Sequence, residues 1–138
     1  MKFILSLIAG LFVFTSIAQV TNEGKPLSWK LDISQDVAAN KLPTFDIEAV
    51  RAEDDLDDGQ FEKPWRFGFM HSVDFGFTDG QWTTLENGDR IWRLLISSPN
   101  ALSLNFIFDD FYLPEGASVY LYNNDKSDLL GAYTPAQN

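Results

Sequence analysis

His71 is the only histidine in the chain, and it stands beside Ser72 with Asp74 close behind. A histidine, a hydroxyl and a carboxylate are the parts of a nucleophilic triad. The chemistry requires the imidazole to hydrogen-bond both the nucleophile and the orienting acid. Successive side chains on an extended strand point to opposite faces. His71 and Ser72 therefore do not pair readily, and His71 reads as a strand or turn residue rather than a general base.

The carboxylates offer two further chemistries. Asp54-Asp55-Leu56-Asp57-Asp58-Gly59 invites a calcium loop, with Asp54 and Asp58 at the first and fifth places and Gly59 at the sixth. The third place is then Leu56 and the twelfth is Trp65, where an oxygen ligand and a bidentate Glu are needed. The loop reading fails. The run from Glu53 reads instead as a self-repelling, solvated linker, with a looser carboxylate site as the alternative. Asp109-Asp110 is a pair of acids of the kind glycoside hydrolysis uses, but adjacent strand residues diverge when they should converge on one cleft. That pair reads as the end of a strand. No catalytic, cofactor-binding or metal-binding residue is assigned, and no cofactor is expected. Aromatic side chains remain. Tyr120 and Tyr122 alternate against Val119 and Leu121, and Trp29, Trp65 and Trp82 lie outside the best strands. Such rings stack on sugars or anchor a partner domain. They also fill the second layer of a two-sheet core, which is the preferred reading.

The elements that would position these residues are strands. Between Asn87 and Gly131 the apolar side chains recur at every second residue. Trp92, Leu94 and Ile96 share one face with Arg93 opposite. Leu102, Leu104, Phe106 and Phe108 share another, with Ser103 and Asn105 opposite. Arg66–Met70 and Val73–Phe77 read as aromatic strands containing glycine, and Trp82–Leu85 as a short strand. Turn signals fall at Asp79-Gly80, Asn87-Gly88, Ser97–Asn100, Leu113–Gly116 and Asn123–Lys126. The pattern predicts an all-β, antiparallel β-sandwich or jelly-roll-like domain over 61–138, incomplete at its C-terminus. Residues 19–60 are expected to form an irregular arm and acidic linker. Within them Leu27–Leu31 reads as a short strand, Val37–Pro43 has poor strand character, and Phe45–Val50 alternates weakly. After Tyr133 no closing strand is legible, and a short sandwich would leave an open edge. The chain reads as the front end of a longer gene product.

Composition narrows the functional classes. The chain has 138 residues and a net charge of −10. Met1-Lys2, the apolar run to Phe14 and Ser16-Ile17-Ala18 compose an export signal over residues 1–18. The apolar run falls short of the roughly 20 residues of a spanning helix. Cleavage before Gln19 leaves 120 residues, loses Lys2 and moves the charge to −11. No cysteine is present, so a disulfide framework and thiolate metal sites are excluded. The acidity argues against nucleic acid and against anionic membranes, both of which call for Lys and Arg. It favours a basic partner.

An ordered set of segments adds a resemblance. It comprises Arg66-Phe67-Gly68, Gly80-Gln81-Trp82, Asn87-Gly88-Asp89-Arg90-Ile91-Trp92-Arg93-Leu94 and Ala101-Leu102-Ser103-Leu104-Asn105. It continues as Phe111-Tyr112-Leu113-Pro114-Glu115-Gly116-Ala117, Val119-Tyr120-Leu121-Tyr122-Asn123 and Gly131-Ala132-Tyr133. Together these resemble the N-terminal pro-region of secreted lysyl endopeptidase-like, trypsin-like serine proteases of Bacteroidetes-type bacteria, often exported by type IX secretion. The likeness covers residue 65 to the end and is loose over 19–60. It implies a chain secreted through the periplasm to the medium or cell surface. It also implies a partner, a downstream or cognate serine protease domain, whose folding the segment assists or whose cleft it shields. The family's catalytic His, Asp and Ser have no counterpart here, so the chain alone is expected not to be an enzyme. The competing reading is a free-standing β-sandwich module on the cell surface that binds glycan or protein.

Overall fold

The computed structural model describes residues 24–34, 36–58 and 63–138. The expected signal segment 1–18, the start of the arm and Gly59 lie outside the described residues. The chain divides into two compact units. One is 27–109, and the other joins 24–26 to 110–138.

In the first unit Leu27–Lys30 forms a one-turn helix, α1, where alternation had predicted a strand. Its end explains the difference. Asp32 takes φ +48, its N–H donates to the Trp29 carbonyl at 3.3 Å, and the Ile33 N–H reaches back to the Ser28 carbonyl at 2.9 Å. These two bonds with a left-handed residue between them are a Schellman closure, and Asp tolerates that conformation. A single helical turn is too short for periodicity to tell from a strand. Ala39–Lys41 forms strand β1 despite a composition poor in strand formers. It pairs in parallel with Leu95–Ser97, strand β4, and the Asn40 side-chain amide donates to the Asp79 carbonyl at 3.1 Å. Neighbouring backbone overrides weak intrinsic preference here.

The weak alternation at 45–50 and the acidic run also resolve differently from the expected linker. Ile47–Asp57 is one helix, α2, on the stretch 19–60 that the sequence left irregular. Asp46 caps it by accepting from the N–H groups of Glu48 and Ala49, each at 3.1 Å. Such a cap satisfies otherwise orphaned donors. Glu48 in the first turn suits the positive end of the helix and pairs with Arg51 at 3.0 Å. Asp54, Asp55 and Asp57 crowd the negative end, which carries no base of its own. The cations come from beyond the helix. Arg66 meets Glu53 at 3.0 Å and Asp54 at 3.2 Å, and Lys63 meets Asp57 at 2.7 Å.

Gln81–Thr84 (β2) and Arg90–Arg93 (β3) form the hairpin that Asn87-Gly88 predicts, with Trp82 opposite Trp92 and Thr84 opposite Arg90. The Leu85 N–H donates to the Asp89 carbonyl at 2.8 Å, the Gly88 N–H to the Leu85 carbonyl at 3.0 Å, and Gly88 has φ +89. This is the three-residue loop whose last position needs glycine. The indole N–H groups of Trp82 and Trp92 both donate to the Phe77 carbonyl, at 3.1 and 3.2 Å, and the Phe77 ring meets both indoles. Gly80 lets the chain pass beside them. A Cβ there would lie 2.6 Å from the Arg93 carbonyl and overlap the Trp92 indole. Arg93 faces away from the indoles, as alternation predicts, and donates to Gln81 and Thr83, each at 3.2 Å, and to the Ser34 carbonyl.

In the second unit Val119–Tyr122 (β5) and Leu129–Tyr133 (β6) pair antiparallel around the turn predicted at Asn123–Lys126. Between the pairs Val119–Tyr133 and Leu121–Leu130, Tyr120 alone opposes Gly131 and Ala132, so β6 carries a bulge at the buried Gly131. Gly116 takes φ +81 in the turn that the Ala117 N–H closes onto the Pro114 carbonyl at 3.0 Å. Asn138 clamps the backbone of Leu113, accepting its N–H at 2.7 Å and donating to its carbonyl at 2.8 Å.

Over the described residues the chain is therefore β-rich, with two of the three strand pairs antiparallel. Three predicted strands do not form. Arg66–Met70, Val73–Phe77 and Leu102–Phe108 enter no ladder. Alternation prepares a face for burial, but a strand exists only where a second backbone accepts its hydrogen bonds. Among the described residues no helix is long and apolar enough to cross a membrane.

Candidate interaction surface

The unformed strands set the character of the molecular surface. Among the described residues no hydrophobic side chain is fully buried, while Phe67 is 95% exposed and Leu102 and Ile107 are 104% and 91% exposed. Trp65, Met70 and Phe77 are exposed with them. All six belong to the unit 27–109, which carries 15 acidic and 7 basic residues. Exposed apolar patches of this kind occur at protein, membrane and ligand contact surfaces and at aggregation-prone ones. The sequence pointed to Arg66–Met70, Val73–Phe77 and Leu102–Phe108 as strands with a buried face. Their periodicity was legible, but their exposure depends on which backbones lie alongside.

His71 is placed by rings. Phe45 and Phe69 stack at 4.1 Å between centroids with 4° between their planes, and the imidazole lies edge-on to both at 5.8 and 5.1 Å. Its Nε2 is buried without a hydrogen-bond partner among the described residues. Ser72 and Asp74 are both exposed, and Phe45 and Phe69 are the ring neighbours of the imidazole. The environment is that of a packed aromatic group.

The acidic run lines a small open pocket of Asp54, Asp57, Asp58, Lys63, Pro64 and Arg66. Its carboxylates meet cations already in place. The hydrogen bond to Glu53 is the main cause that holds the Arg66 pKa above its ordinary value. A divalent ion would have to compete with Arg66 and Lys63 for the same oxygens. Among the described residues no group of three or more His, Cys, Asp or Glu side chains converges on a metal position. Asp109 and Asp110 are exposed, and Asp110 takes φ +47, a turn conformation. The candidate aromatics divide. Trp82 is engaged with Phe77 and lies under Arg90, whose guanidinium carbon is 4.0 Å from the ring centroid. Tyr120 and Tyr122 are half-buried on β5, and Trp65 stands open at 76% exposure.

The β5–β6 tip is a braced loop. The Lys126 N–H donates to the Asn123 carbonyl at 3.1 Å, and the Asn123 side chain bridges Ser127 and the Asp128 N–H at 2.7 and 2.9 Å. Asp125 accepts from the Ser127 N–H at 3.1 Å, and this backbone bond is the largest cause holding its pKa below the usual aspartate range. Hydrogen bonding to the charged form lowers a carboxyl pKa. Because the folded value lies below the unfolded one, the support is full above the ordinary aspartate pKa of about 3.9 and is lost as pH falls through the folded value. A carboxyl-carbon NMR titration should place the Asp125 midpoint below that of a free aspartate. The Ser127 amide shift should move with the same midpoint, and Asp125→Asn should abolish the movement. A midpoint at the ordinary value would show that the bond does not persist in solution.

No family model matches this chain, and no solved structure matches it. What the arrangement can do chemically follows from the surface: it can bury aromatic and aliphatic side chains against another molecule and repel acidic ones.

Proposed function

We propose that the chain is the secreted N-terminal pro-region of a lysyl endopeptidase-like serine protease, acting on a downstream or cognate trypsin-like domain by assisting its folding or shielding its cleft. In this reading residues 1–18 direct export, and the segments from Trp65 onward belong to a sandwich or jelly-roll-like module that is completed against its partner. The exposed side chains of Trp65, Phe67, Met70, Phe77, Leu102 and Ile107 carry the proposal, because they lie in runs patterned for burial and are left largely uncovered. The resemblance from Arg66 to Tyr133 supplies the partner class. The acidic background supports it too, since it favours docking on a basic surface.

The test uses a purified lysine-specific, trypsin-like protease domain. Refolding that domain from denaturant with an equimolar amount of the chain should raise the recovered activity several-fold, or the chain should inhibit the folded enzyme. If the chain changes neither yield nor rate at micromolar concentration, the proposal fails. Exposure of Trp65 favours one other reading, a surface module that stacks on sugar rings. Retention of the chain on a polysaccharide column, with no effect on the protease, would select it.

A further inference from the structure

The run Leu102 to Ile107 has the strongest two-residue alternation in the chain and enters no β-ladder. The apolar content and length suit one complete strand. Leu102, Leu104 and Phe106 fall on one face. Leu102 is fully exposed, and Leu104 and Phe106 are 38% and 40% exposed. Ile107, on the other face, is 91% exposed. An apolar run of this pattern that joins no ladder has the side chains of a strand and backbone groups that another strand can pair with.

Charge selects the occupant. The unit that holds this run has 15 acidic residues against 7 basic ones, and in the sequence Phe108 alone separates the run from Asp109-Asp110. A second copy of the chain would bring the same excess of negative charge and the same aspartates to the pairing. Like charges facing one another across a strand pair are destabilising, and opposite charges stabilise it and set its register.

We infer that residues 102–107 receive an extended strand of the protease polypeptide, alternately apolar and flanked by Lys or Arg. Main-chain hydrogen bonds supply the attraction, the alternating side chains supply the fit, and the basic flanks answer Asp109 and Asp110. The identity of the occupant rests on the pro-region reading. The pairing edge and its charge preference do not.

The experiment is amide hydrogen exchange on the full chain with two probes. One is the lysine-specific, trypsin-like domain, and the other is a synthetic peptide of alternating Val and Thr with Lys at both ends. Each probe should slow exchange of the 102–107 amides at least tenfold. Asn105→Pro removes one N–H from the edge and should weaken both probes at least tenfold. It should leave the melting temperature of the free chain unchanged, because Asn105 enters no ladder there. Asn105→Val should bind as the parent does. Docking of the protease domain without protection of 102–107 would overturn the inference and leave the pro-region reading standing. Peptide binding at this edge with no docking of the domain would support the pairing edge and overturn the occupant and that reading together. Equal binding of a peptide with Asp in place of Lys would overturn the charge argument. Protection of the same amides by self-association at low salt would give the edge to a second copy and overturn the assigned occupant.

Discussion

Replacing Gly131 with alanine is expected to undo the β5–β6 hairpin. Gly131 has φ +123, a region that residues with a Cβ rarely enter, and forcing one there costs about 1–3 kcal/mol. The added carbon would lie 2.7 Å from the Val119 carbonyl and 3.0 Å from the Tyr120 ring. The first of these is backbone of the paired strand. It cannot withdraw without loosening the register that sets Val119 opposite Tyr133. Overpacking adds a further cost of about 1–3 kcal/mol. Together they are a large part of the roughly 5–15 kcal/mol that holds an ordinary domain folded. Urea unfolding followed by tyrosine and tryptophan emission should show a clearly lower midpoint, with loss of amide protection at Val119–Tyr122. Gly88→Ala separates the two causes. Gly88 also has positive φ, but a Cβ there meets nothing within 4 Å, so its cost should be limited to about 1–2 kcal/mol of backbone strain. Equal midpoints for the two variants would mean that the contact with Val119 contributes nothing.

Phe67→Ser combined with Met70→Ser should have the opposite profile. Phe67 is 95% and Met70 is 81% exposed, so truncation removes little buried area and should change stability by less than about 0.5 kcal/mol. Binding is another matter. If these side chains are anchors for a partner, their loss should cost about 2 kcal/mol or more, a weakening of some thirtyfold. Titration calorimetry against the lysine-specific, trypsin-like domain measures the second quantity, and thermal unfolding measures the first. Binding of an apolar dye to the free chain should fall as well, because the double variant removes two exposed apolar groups. A variant that unfolds easily but binds normally would show that Phe67 and Met70 belong to a core and not to a contact surface.

The contrast between these substitutions follows the division between local and long-range chemistry in the sequence. The hairpin at Asn87-Gly88 and the turn at Asn123–Lys126 were read from a few adjacent residues, because glycine at positive φ and side-chain hydrogen bonds within a turn are local chemistry. Helix α2 was also open to local reading. Asp46, Glu48 and Ala49 are an N-cap and first turn, yet the acids that follow argued for a linker. Their repulsion is answered by Arg66 and Lys63, which join them only in three dimensions. Strand β1 carried no signal at all, since Ala39-Asn40-Lys41 becomes a strand only beside Leu95-Ile96-Ser97.

By itself the sequence determined where the chain turns, which side chains alternate along Trp92 to Ile96 and Leu102 to Phe108, and how acidic the whole is. Each of these depends on residues within one turn or on a simple count. Only the tertiary structure decided that Leu95–Ser97 pairs and Leu102–Ile107 does not, and that one carbonyl, that of Phe77, receives both indoles. A strand requires a second backbone at hydrogen-bonding distance, and a run of residues carries no record of which distant segment will arrive there.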